Sequence, residues 1–400
     1  MRKVTVYCAA PLLMSLTLIL GSSSASAEEA AASAVSNETA RQAVEADLAE
    51  MNSTHEFYES WQGAEATYVR ELYDLQDQVV GYYFILKSGD KPVGYYVTSA
   101  RTDLPPILEY GADANKPQFE AAQSGERLYY FGGRGVLAGQ DAAQVTAEIR
   151  ERVEVQNEAA AKQQNPPTAS LQASEDAPAV QPKDADEVIS DLALTSDPDA
   201  PAAWERVIHP QRGVTAAALP NAYSLGVPHI NQRMAGIEGP GSACGPTTLA
   251  MILQYLGKQG LNVEDASHYG NSVVKLVNAN RNIMATGPFG TTSGNMVFGL
   301  KNTLGPGWSF SEVGADWSGA IENYKGRIVS GRPPAVMWDN LFLFPWTDAQ
   351  LKWHWQAGAA YRYSSGSFTF GVRDPDGDSA MTYYNWASNQ SGFLFISYAK

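Results

Sequence analysis

The spacing of apolar residues along this 400-residue chain changes several times, and each change predicts an element. From Thr39 to Met51, Val44, Leu48 and Met51 fall on one side at helical spacing. The pattern then shortens to strand-like runs over Tyr68 to Leu72, Val79 to Leu86 and Val93 to Ser99. Lys87-Ser-Gly-Asp-Lys91 joins the last two as a hairpin signal. Ile107 to Tyr110 and Leu128 to Phe131 add further strand material, and Gln140 to Lys162 reads as a long charged helix. Together these predict a small α+β domain over residues 28–162 whose first residues, 28–38, are loose. Its single histidine, His55, is expected on the surface.

From 163 to about 203 the composition shifts to Pro, Ala, Ser, Gln and Asp with few large apolar residues, which predicts a disordered linker open to proteolytic nicking. Patterning returns at Trp204. Leu249, Ile252, Leu253 and Leu256 recur at i, i+3, i+4 and i+7 behind Cys244; Pro246 suits the first turn and Gly257 a stop. Further helices are expected over Val263 to Ala279 and from Thr291-Thr-Ser293 through Met296, Leu300 and Leu304. Arg332 to Trp338 reads as a strand entered through prolines. Trp353 to Tyr363 and Ser367 to Arg373 read as a hairpin turning at Ser364-Ser-Gly366. Helices first and paired strands later place residues 204–400 in the α+β class.

The N-terminus narrows the compartment. Arg2 and Lys3 precede an apolar run through Leu20, and Ala25-Ser-Ala27 offers a small-residue cleavage site. Residues 1–27 are therefore expected to be a secretory signal peptide, with the mature protein exported and not retained in the membrane. The chain has two cysteines, Cys8 and Cys244. Cys8 falls in the expected signal, so one thiol remains and no internal disulfide can form. A lone thiol in an oxidising compartment is unusual, and catalysis is one reason to keep it.

Charge is uneven. Residues 1–205 hold 14 basic and 32 acidic side chains, whereas 206–400 hold 14 and 11, within a net charge of −15. An acidic N-terminal part could dock on the slightly basic remainder, or could simply keep an exported protein soluble. No basic cluster or reading motif points to nucleic acid.

Cys244 follows a Gly/Pro-rich loop (Gly236 to Gly241) and opens a helix, where unpaired N–H groups and the helix dipole favour a thiolate. A nucleophile needs a base, and His209, His229, His268 and His354 lie in the same region. The hairpin favours His354. With a three-residue loop, Tyr363 faces Ser367 and His354 faces Asp376, making Asp374 its same-face diagonal neighbour. Such an Asp would hold the imidazole tautomer, whereas a one-residue slip would send it to the opposite face. The Cys244 backbone N–H and the Gln232 side chain are candidate oxyanion donors. Asp374-Pro-Asp376-Gly-Asp378 alternates carboxylates as calcium loops do, but its Gly is misplaced for an EF-hand and a tight turn is expected.

These residues resemble the bacterial peptidase C39-like family. The resemblance rests on Val227-Pro-x-x-x-Gln232, Cys244-Gly-Pro-Thr before a helix, Gly290-Thr-Thr-Ser, Gly331-Arg-Pro-Pro-Ala-Val, His354-Trp, and Val372-Arg-Asp374-Pro375. It covers most of residues 220–400 and implies a papain-like cysteine peptidase fold. It further implies Cys244 as nucleophile, His354 as general base and then acid, Asp374 as orienter and Gln232 as oxyanion donor. Two departures stand out: the membrane and ATPase domains of transporter-linked members have no counterpart here, and Gln232 lies farther from Cys244 than the pattern usually places it.

The expectation is a secreted cysteine peptidase needing no metal or organic cofactor and acting on a peptide or protein substrate, with residues 204–400 as the catalytic domain. Made as a zymogen, it would be inhibited by residues 28–162 until the linker is cut; an unrelated accessory domain is the other reading of those residues. An amidase, an acyl transferase and a wall- or peptide-binding module with an inert Cys244 are the alternatives.

Overall fold

A computed structural model of the chain describes residues 34–114, 116–120, 122–164, 182–209, 221–287, 290–338, 353–364 and 366–400. The expected signal peptide, with Cys8, and the central part of the expected linker lie outside them. In chain order the strands are β1 (Glu65–Tyr73), β2 (Val79–Ser88), β3 (Lys91–Ser99), β4 (Ile107–Gly111), β5 (Arg127–Tyr130), β6 (Val136–Gly139), β7 (Ala222–Ser224), β8 (Ser309–Gly314), β9 (Ala335–Trp338), β10 (His354–Ser364), β11 (Ser367–Arg373), β12 (Met381–Asn385) and β13 (Phe393–Ala399). The helices are α1 (Asn37–Glu50), α2 (Tyr58–Trp61), α3 (Pro117–Glu120), α4 (Ala142–Gln164), α5 (Ala185–Asp191), α6 (Ala200–Ile208), α7 (Cys244–Lys258), α8 (Val273–Ile283), α9 (Ser293–Leu304), α10 (Ala320–Val329) and α11 (Trp386–Asn389). The fold is mixed α+β with a large sheet.

Among the described residues the strands join in one sheet of order β6-β5-β1-β2-β3-β4-β12-β11-β10-β9-β13-β8, with β7 added to β10. The N-terminal strands are therefore not a separate sheet. β4 pairs antiparallel with β12, setting Tyr110 opposite Tyr383 and Glu109 opposite Tyr384. The rings of Tyr110 and Tyr383 stack with centroids 4.7 Å apart. On α1, Asp47 is buried and accepts from Arg362 of β10 (2.5 Å), Ser364 (2.6 Å) and Tyr96 (2.8 Å). Arg362 also reaches the Asp47 carbonyl at 2.7 Å. A buried charge pair with its remaining valences satisfied ties α1 to the strand that carries His354, and breaking such a pair costs about 3–5 kcal/mol.

Two sequence expectations fail here, for identifiable reasons. The linker does not extend to 203. α5 opens on Asp184, whose carboxylate accepts from the N–H groups of Asp186 and Glu187. Val188 and Leu192 share an apolar cluster with Val145, Ile149 and Val153 of α4. Trp204 of α6 is buried, donating its indole N–H to the carbonyls of Arg101 and Leu104. The average composition is poor in large apolar residues, yet among the described ones Val188 and Leu192 are buried and Ile189 and Leu194 half-buried. His55 is likewise not on the surface. It is buried, its Nε2 3.2 Å from the Tyr110 hydroxyl, its Nδ1 accepting the Phe57 N–H, and its ring 5.1 Å from that of Tyr383. Burial, then the Arg362 cation, push its pKa down to about 3.

The expected β10–β11 hairpin is present, but its turn is tighter: Ser364 pairs directly with Ser367 and Tyr363 with Phe368. A bulge between Gly358 and Ala360 then shifts the register by one, so that Gly358 pairs with Val372 and Ala357 with Arg373. No helix among the described residues is long and apolar enough to cross a membrane.

Candidate active site

α7 begins at Cys244, which has no side-chain cap; a short 3-10 turn, Pro240–Ser242, leads into it. The helix is buried through Leu249, Ile252, Leu253 and Leu256, the spacing seen in the sequence. Gly245 is required by packing, since a Cβ there would sit 2.3 Å from the Thr291 hydroxyl oxygen. α7 packs beside β10, and that contact brings the first residue of the helix to the first residue of the strand. The Cys244 side chain hydrogen-bonds with His354, and both residues are buried.

On its other side His354 meets Asp374, with Nε2 2.7 Å from Oδ1. With Nε2 taken by the carboxylate, Nδ1 is the nitrogen that serves the thiol. Asp374 is held from three directions. Its Oδ1 also accepts the Asp376 N–H (2.8 Å), and its Oδ2 accepts from Gln356 Nε2 (2.8 Å). The Gln356 side-chain Oε1 in turn accepts the Trp338 indole N–H at 2.7 Å. Burial alone would raise Asp374, but the imidazole and these donors outweigh it and hold the carboxyl down at about 2. Burial would likewise lower His354, and the Asp374 charge outweighs it, carrying the imidazole up to about 10.

The turn after β11 is clamped by the segment before the nucleophile loop. His229 Nε2 lies 2.9 Å from the Asp374 carbonyl, the Gln232 N–H donates to the Pro375 carbonyl (2.7 Å), and Asn231 donates to that of Gly377 (3.0 Å). Arg233 grips the Asp376 carboxylate at 2.5 and 2.8 Å. Gln232 is buried, its amide donating to the Pro240 carbonyl (2.9 Å), four residues before Cys244; its Oε1 has no partner among the described residues. The alternate carboxylates of the turn are each engaged by protein, Asp378 through the Ala380 N–H. Among the described residues no cluster of His, Cys, Asp and Glu could hold a metal ion.

Sequence reasoning named Cys244, His354, Asp374 and Gln232, and the fold gathers all four around the N-terminus of α7 and the turn after β11. It missed Gln356, Trp338, His229 and Arg233. Gln356 could have been found, because it lies two residues after His354 on the same strand and so shares its face. Of the tryptophans, Trp338, Trp355 and Trp386 are buried, and Trp355 donates to the Thr291 carbonyl at 2.7 Å. Trp317 is exposed, and Trp346 lies outside the described residues.

No family model matches the chain, and no curated protein matches it. Among solved structures it is similar to the peptidase domain of Streptococcus ComA, a bi-functional ABC transporter involved in a quorum-sensing pathway. The two are 21% identical with a TM-score of 0.25, and the match covers 44% of this chain and 98% of that one.

Proposed function

We propose that the chain is a cysteine peptidase of papain-like architecture, cleaving peptide bonds through Cys244, His354 and Asp374. The observation that carries this is the buried relay in which one imidazole contacts both the Cys244 thiol and the Asp374 carboxylate. A cysteine serving only as core has no use for a charged pair against its sulfur. His354, raised by Asp374, already carries the proton as imidazolium, and the Cys244 sulfur paired with it bonds to the scissile carbonyl carbon as the carbonyl π bond opens onto oxygen. The C–N bond then breaks as the imidazolium protonates the leaving amine. Water, deprotonated by His354, attacks the thioester, releases the carboxylic acid and restores the thiol. The reaction as written draws on no metal or organic cofactor.

The oxyanion would be met by the Cys244 backbone N–H at the helix start and by the second amide hydrogen of Gln232, the first being committed to Pro240. Secretion by way of residues 1–27 belongs to the same proposal. So does control by the N-terminal part, which continues the sheet through β4 and β12, so that relief of control requires that pairing to open.

One observation favours a second reading. Cys244 has no exposed surface, as an inert cysteine in a peptide-binding module would have none. An electrophilic cysteine-protease probe separates the two. The proposal expects labelling at Cys244 that disappears in His354→Ala. Labelling indifferent to His354, or none in a folded chain that still binds peptide, overturns it in favour of the binding module.

A further inference from the structure

The nucleophile loop is held from a direction the relay does not explain. Near the end of α8, Arg281 donates to the Ser242 hydroxyl (3.1 Å) and to the carbonyls of Gly239 (3.4 Å) and Gly287 (3.3 Å). One turn earlier on the same helix, Asn278 accepts the Glu238 N–H (3.0 Å) and donates to the Gly236 carbonyl (2.9 Å). α8 therefore staples residues 236–242, the segment that delivers Cys244. Gly239 adopts a left-handed φ of 54°, and a Cβ there would strike the guanidinium at 2.7 Å, so loop and cation are fitted to each other.

We infer that Arg281 is a positioning residue of this site, fixing the nucleophile loop and setting a permanent positive charge within electrostatic reach of the Cys244 sulfur. The inference rests on the peptidase reading and deepens it. The relay supplies a mobile proton, whereas a guanidinium supplies a charge that does not titrate at working pH. In this loop Ile237 packs into the core, whereas the stretch 239–241 that turns into α7 has no buried apolar side chain of its own and is held by polar contacts from Arg281. Among the described residues, the charged and titratable groups around the Cys244–His354 pair are Asp374 behind His354, His229, Arg233 and Asp376 at the turn after β11, Arg281 from α8, and Glu238 on the loop beside Arg281. α9 presents apolar Met296 and Leu300. Burial is the largest influence on Arg281 and holds its pKa below the ordinary value, with Glu238 and then Cys244 acting in the opposite direction.

The test is the ultraviolet absorbance of the thiolate in the full chain. Each protein is read against its own Cys244→Ser counterpart between pH 5 and 9, so that Cys8 cancels and no probe need enter the site. Wild type, Arg281→Lys, Arg281→Gln, Arg281→Met and His354→Ala are compared. The expected result is that the thiolate signal of Arg281→Gln falls about tenfold at the low-pH end and recovers at pH 9, while Arg281→Lys keeps most of it. Should the Gln variant not fold, Met, which keeps the side-chain stem, is set against Lys for the same comparison. An unchanged profile in the uncharged variants, or a Lys variant as impaired as Gln, overturns the inference. A wild-type chain with no thiolate up to pH 9 overturns it as well. Loss of His354 without effect on the signal would count against the peptidase relay alone, leaving the Arg281 comparison to be read.

Discussion

His354 Nε2 and Asp374 Oδ1 lie 2.7 Å apart because the hairpin carrying both residues has a bulge between Gly358 and Ala360. At the turn the register is one residue tighter than a three-residue loop would give. Carried without interruption to the start of β10, it would turn Asp374 to the wrong face. The extra residue restores the alternation, and the two side chains meet on the face that receives α7. Local irregularity, and not ideal pairing, builds the relay.

The relay implies graded losses. Replacing His354 by Ala should reduce peptide hydrolysis by about 10²–10⁴-fold, the usual weight of a positioned acid–base group. Gln356→Leu should cost less, with kcat falling and KM held, because it touches no substrate but orients the Asp374 carboxylate. A Gln356→Leu chain with unchanged kcat would remove Gln356 from the relay; steady-state kinetics decides.

The pH dependence of the pair follows from its directions. His354 is raised, so its contribution to stability is complete below about pH 6.5 and is lost as pH climbs through about 10. Asp374 is lowered, so its contribution is present above about pH 3.8 and is lost as pH falls through about 2. Asp374→Asn should bring the His354 titration down and soften the alkaline limb of the stability profile. Ring-proton NMR of His354 together with thermal unfolding from pH 6 to 11 tests this.

His55 gives the opposite limb. It is held neutral in the seam between β4 and β12, below its ordinary value, so the unfolded chain takes up its proton first. Stability from this group is complete above about pH 6.5 and should decline from there toward about pH 3, by on the order of 1.4 kcal/mol per unit. His55→Phe, which keeps the aromatic packing, should flatten that decline; melting temperatures across the range would show it.

Cutting the chain within 165–181 should not release its N-terminal part. The two fragments share the β4–β12 pairing, the Tyr110–Tyr383 stack and the buried Asp47–Arg362 pair, and are expected to co-elute after nicking. Arg362→Leu, which strands Asp47, should lower stability by about 3–5 kcal/mol and loosen the complex. Separation of wild-type fragments under native conditions would instead favour a detachable inhibitory segment.

The amino-acid order alone settled what local physics settles. It placed α1, the strands β1 to β5, the helix opening at Cys244 and the β10–β11 hairpin, because a period of 3.6 or 2 and a Gly or Pro at a boundary are properties of neighbouring residues. It also named Cys244, His354, Asp374 and Gln232 through spacing and resemblance. The tertiary structure decided what depends on distant partners. It placed Asp47 against Arg362, buried His55 and Trp204, and merged two expected domains into one sheet. It brought Gln356 and Trp338 behind Asp374 and Arg281 behind the nucleophile loop. A residue's burial and charge environment come from segments tens to hundreds of positions away, from the 18 between Gln356 and Asp374 to the 315 between Asp47 and Arg362, and the short window that sets a helix or strand does not contain them.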